Sequence, residues 1–153
     1  MEKEKLQTLT NVIAHLKDND LKTVFNVICD EYARRLCKMY EWHYEDCFWV
    51  ADLRAGTFCS SDIEYSLSLE DVILLVENNL PFEEFQKWWD YNMLINYAQS
   101  NHPFNNKYNP INLWSWINGF RPTVSKSILE KEEQLYWKNI KVADLDSNDE
   151  SEE

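Results

Sequence analysis

The spacing of apolar positions changes twice along the chain, and each change marks a boundary between elements. Leu6, Leu9, Ile13 and Leu16 recur at intervals of three and four, so residues 3–17 are predicted to form an amphipathic helix. Asp18-Asn19-Asp20 interrupts it and supplies a cap for a second helix. The stripe of that helix is Leu21, Val24, Phe25, Ile28, Tyr32, Leu36 and Met39, and it ends near Tyr40. The two are expected to form a helical hairpin. From Tyr44 the period falls to two. Tyr44 to Leu53 reads as one strand and Thr57 to about Tyr65 as a second, with Gly56 of Arg54-Ala55-Gly56 in the left-handed position of the turn. This register sets Asp52 against Phe58 and Cys47 against Ile63. One face then carries Cys47, Trp49, Ala51, Leu53, Cys59 and Ile63; the other carries Asp46, Phe48, Val50, Asp52, Phe58, Ser60, Asp62 and Glu64.

Helical spacing returns at Ser68, the expected N-cap of a helix through Leu69, Val72, Ile73, Val76 and Leu80. Asn78-Asn79 ends it. Pro81 opens the next helix, which runs to about Ala98 and is apolar over a wide arc through Phe82, Phe85, Trp88, Trp89, Met93 and Ile95. The segment from Gln99 to Asn109 is Asn-rich and aperiodic, long for a connection within a compact domain. Its Phe104 and Tyr108 either tack it down or reach for a partner. Asn109-Pro110 should start a short helix through Trp114 and Ile117, stopped by Gly119, and Ser125 or Ser127 should cap a last one through Leu129, Tyr136 and Ile140. The predicted class is α+β, mostly helical, with about six helices and one central antiparallel β-hairpin or small sheet. Residues 1–143 are expected to form a single globular domain, and 144–153 a disordered acidic tail.

Charge changes this picture by sorting itself into blocks. Residues 1–40 sum to +1, 41–90 to −10, 91–143 to +3 and 144–153 to −6, for a total of −12. The −10 block also holds Trp42, Phe48, Trp49, Phe58, Phe82, Phe85, Trp88 and Trp89. Acids mixed with aromatics suit a surface that meets something basic. Direct nucleic-acid binding is disfavoured, because phosphate contact requires clustered Lys and Arg. There is no apolar run of membrane-spanning length and no leader pattern, so a cytoplasmic protein is expected. Its four cysteines, Cys29, Cys37, Cys47 and Cys59, are then expected to be reduced thiols, with Cys47 and Cys59 too far apart to bridge.

Little in the chain resembles catalytic machinery. Two glycines, Gly56 and Gly119, are too few for a P-loop or a dinucleotide fingerprint. No cofactor is implied. Asp62 and Glu64 share a strand face, but Ser66 stands where a Lys would complete a nuclease-like arrangement, and a solvated strand edge explains them as well. Cys37, His43, Cys47 and Cys59 are the only zinc candidates and lack ligand spacing. Nothing pairs His15, His43 or His102 with a thiol.

The run Asp71-Val72-Ile73, then Glu77-Asn78-Asn79-Leu80-Pro81, then Trp88-Trp89-Asp90-Tyr91, preceded by the hairpin, resembles small uncharacterised proteins of phages and mobile elements in gut bacteria. The resemblance spans roughly Phe48 to Tyr97. It implies a phage or mobile-element origin and carries no functional residue with it.

Two readings from different classes follow. The first is a non-enzymatic acidic protein-binding module, an inhibitor of a host nucleic-acid-binding or defence protein. It would use Asp46, Phe48, Asp52, Phe58, Asp62, Glu64, Glu70 and Asp71 against a basic protein surface. The second is a small metal-dependent enzyme using Asp46, Asp52, Asp62 or Glu64 with His43. A structural or virion protein is a third possibility.

Overall fold

A computed structural model describes residues 1–50, 56–60, 65–101, 109–122 and 126–151, the side chains of 99–101 and 140–151 excepted. It is α+β and mostly helical, with six helices and a three-stranded antiparallel sheet among the described residues. The backbone divides into two units, Met1–Asn79 and Leu80–Glu153.

In the first unit α1 spans Lys3–Ala14 and α2 spans Asp18–Tyr40. Both elements are where periodicity places them. No residue of α1 is buried, and α2 begins to bury side chains only at Cys29, followed by Ala33, Leu36, Cys37 and Tyr40. The helix stops at Glu41, which is left-handed (φ 59°), and Trp42 N–H returns to Cys37 O at 2.8 Å. This closure carries Tyr44–Asp46 into a 3₁₀ turn, where alternation had suggested strand. The strand β1 is therefore only Cys47–Val50.

β1 pairs with β2, Thr57–Ser60, and β2 with β3, Ser66–Ser68, in the order β1-β2-β3. The register differs from the expected one. Phe48 faces Cys59 and Trp49 faces Phe58. An odd-numbered slip turns every β2 side chain to the opposite face, because the side-chain period is two. Trp49, Phe58 and Leu67 consequently form one inward row, with Phe58 and Leu67 fully buried. The helix α3, Leu69–Asn78, packs against this sheet and α2 and buries Val72 and Leu75. Ser68 caps it as predicted, its Oγ accepting the Asp71 N–H at 3.1 Å. Asn79 ends it in the left-handed region (φ 46°).

The second unit holds α4 (Phe82–Asn101), α5 (Leu113–Ile117) and α6 (Lys126–Ser151). α4 runs three residues beyond Ala98. α5 starts later than Asn109-Pro110 suggests, because Asn112 is the cap: its Oδ1 accepts Ser115 N–H at 2.8 Å. Gly119 follows with φ +95°, a value that glycine accommodates without strain. The approach to α5 is clamped to α4. Trp88 Nε1 donates to Ile111 O at 2.6 Å, and Ile111 N–H donates to Asn92 Oδ1 at 2.8 Å. Ile95 of α4 meets Leu129 of α6 in a small core with Tyr91 and Leu94 against it. The α6 helix continues past Asp144, where the acidic tail begins.

Candidate functional site

The corrected register decides which predicted site residues share a surface. On the outward face of the sheet two rows run across the strands: Phe48–Cys59–Ser66 and Val50–Thr57–Ser68. Each row has one apolar side chain on β1 and small or polar ones beyond it. Phe48 is 51% exposed and Val50 45% exposed, so the described residues leave about half of each side chain in solvent on this face. Phe58 leaves the set. It is 2% exposed and packs at a tilt against Trp49 with ring centroids 5.2 Å apart.

The acids are placed unequally. Asp46 sits half-buried at the end of the 3₁₀ turn just before β1, its N–H on His43 O at 3.0 Å, with exposed Glu45 beside it. Glu70 is exposed in the first turn of α3. Asp71 is turned inward. Burial pushes its carboxyl up from the ordinary range, opposed by hydrogen bonds from Ser68. Ser68 and Asp71 thus satisfy each other across the helix start, as in a capping box, and Asp71 serves α3 rather than the surface. Asp52, Asp62 and Glu64 lie outside the described residues.

The thiols and histidine suggested as metal ligands do not assemble. Among the described residues no group of three or more His, Cys, Asp or Glu is placed to hold a metal ion. All four cysteines are free. Cys37 Sγ lies 3.7 Å from Cys47 Sγ, and Cys47 Sγ lies 3.4 Å from His43 O. Burial, with the neighbouring Cys47 second, raises the Cys37 thiol to about 12. Cys59 is on the other face, 3.5 Å from Ser66 Oγ. Cys47 and Cys59 are unbonded, although the reason is the facing of their strands and not the larger separation expected.

One feature of the second unit carried no sequence signal. Glu84 accepts from Arg121 at 3.0 Å, Trp116 Nε1 at 3.3 Å and Lys87 at 3.4 Å, while Arg121 stacks over the Trp116 ring at 4.2 Å. Slight desolvation would raise the Glu84 carboxyl, but the hydrogen bond and charge of Lys87, with help from Trp116 and Arg121, hold it below its ordinary value. These residues floor an open cleft of about 440 Å³ with Tyr91, Leu94 and Leu129. The contacts join positions more than thirty residues apart, which periodicity does not reach.

Trp88 and Trp89 divide as their angular separation on a helix suggests. Trp88 is buried and Trp89 half-buried, both packed against Phe85. The loop residues Phe104 and Tyr108 lie outside the described residues.

Among the described residues no helix is long and apolar enough to cross a membrane. The chain matches no known protein family, no curated protein and no solved structure.

Proposed function

We propose that the chain is a non-enzymatic protein-binding module that docks the outward face of its sheet onto a basic protein surface. The observation that carries this reading is the exposure of Phe48 and Val50 side by side on β1. Along the sequence, the stretch from Glu41 to Asn79 holds nine acids against Arg54 and no other base. Covering two half-exposed apolar side chains contributes roughly 1 kcal/mol each. The acids add encounter rate and orientation more than affinity. The resemblance to phage and mobile-element proteins makes the concrete partner a host nucleic-acid-binding or defence protein, whose phosphate-binding surface would attract carboxylates.

The metal-dependent alternative depends on Asp52, Asp62 and Glu64 converging with His43, and no described contact favours it. The test is capture of a host protein by the immobilised chain, followed by the same capture with Phe48→Ser and Val50→Ser combined. Loss of about 2 kcal/mol weakens binding roughly thirtyfold. Unchanged capture would remove this face from the reading.

A further inference from the structure

We infer that the α1–α2 face is a self-association surface, on which a second copy of this chain packs. The inference does not rest on the proposed docking role of the sheet.

The starting point is a helix without support. No residue from Met1 to Ile28 is buried. Leu6, Leu9, Val12, Leu21, Val27 and Ile28 are each between 44% and 60% exposed. Of the stripe that sequence periodicity assigns to an interior, Ile13, Leu16, Val24 and Phe25 are half-buried, while Leu6, Leu9, Leu21 and Ile28 remain exposed, with Val12 and Val27 exposed beside them. α1 has 12 residues and no side-chain cap on its first turn. Thr8 and Thr10 return their hydroxyls to Glu4 O and Leu6 O, an arrangement that weakens a helix slightly. Isolated helices shorter than about 12–15 residues are marginal in water, so this one requires a surface to lie on. Between Ile13 and the first turns of α2 is an open cleft of about 510 Å³, lined by Leu21, Val24, Phe25 and Ile28. It has the shape and chemistry to receive another helix's apolar side chains.

Charge selects the occupant. Residues 1–28 carry four bases (Lys3, Lys5, Lys17, Lys22) and four acids (Glu2, Glu4, Asp18, Asp20), a net of zero. Residues 29–79 sum to −7 and residues 80–153 to −5. A two-fold interface sets a patch against itself, so a patch of one sign repels its copy. Among these three segments only the first escapes that penalty, and its mixed signs, Glu2-Lys3-Glu4-Lys5 and Lys17-Asp18, allow opposite charges to meet. A basic partner of the sort the sheet would attract gains nothing from a neutral patch. A standard interface uses about 20–30 contacting residues a side, and one face of the helices between Lys3 and Ile28 supplies fewer, the size of a weak dimer. Two such segments would pack as four helices with their stripes inward.

The experiment is sedimentation velocity of the full chain from low micromolar to several hundred micromolar, with amide hydrogen exchange of α1 at both ends of that range. The expected result is a mass moving from 18.4 kDa towards twice that value. Protection of α1 should rise in step. About 0.5 M salt should preserve or strengthen the dimer, because it screens the repulsion between two acidic bodies. Combining Leu9→Asp with Ile28→Asp should return the chain to a monomer, while Phe48→Asp on the sheet should leave the dimer intact. A dimer that survives the double variant would overturn the inference. So would a monomer at every concentration, whether α1 is protected, and covered by its own chain, or exchanges freely and awaits a different protein.

Discussion

Two aromatic elements of the same acidic block, α4 and β1, have opposite fates. In α4, Phe85 and Trp88 are buried, and the Trp88 indole is bonded to a backbone carbonyl 23 residues away. In β1, Trp49 turns inward while Phe48 and Val50 stand in the open. Aromatic density is equal evidence for a core and for an interface. Only the partner each ring finds separates them. The α4 rings have theirs within the unit, and Phe48 on the outer sheet face makes no ring contact among the described residues.

The strongest way to test that contrast is to remove the centre of α4. Phe85→Ala should cost about 3–5 kcal/mol in denaturant unfolding, since it empties a fully enclosed site against Phe82, Trp88 and Trp89. A loss below 1 kcal/mol would mean that the site collapses freely and that α4 is no more committed than β1. Trp88→Phe keeps most of the ring but leaves Ile111 O without its donor, and should cost about 1–3 kcal/mol by the same measurement. Ser68→Ala removes the α3 cap, at about 1 kcal/mol. The smallest effect is on reactivity rather than stability. A thiol raised in the folded state contributes stability below its ordinary value near 9, and this is lost as pH rises towards about 12. Between these values Cys37 should resist iodoacetamide while the more open Cys47 and Cys59 react, as followed by peptide mass spectrometry. Equal labelling of all three would contradict the packing at the end of α2.

Much of this was legible in the sequence. The six helices, the Ser68 cap and a switch to strand, expected at Tyr44 and found at Cys47, follow from spacing and capping residues, which act locally. The register does not. The expected three-residue turn after Leu53 would have kept Phe58 on the same face as Phe48, but the observed pairing includes Val50↔Thr57. A third strand at Ser66–Ser68 completes the inward row through Leu67, and a strand this short has no period of its own. The same limit hid the Glu84–Arg121–Trp116 cluster, whose members come together only through tertiary packing. For α1, periodicity identified the stripe correctly but could not say whether anything in the chain covers it.

The central claim is that the outward face of β1 binds a protein, and the direct measurement is affinity for the captured partner as a function of salt, in the natural chain and with Phe48→Ser and Val50→Ser combined. The double variant should keep its circular dichroism and lose little in melting temperature, because both side chains are already about half in water. The account predicts that affinity of the natural chain falls as salt rises, and that the variant binds about tenfold to thirtyfold more weakly at every salt concentration. Equal affinity of the two, with or without a salt dependence, would contradict it.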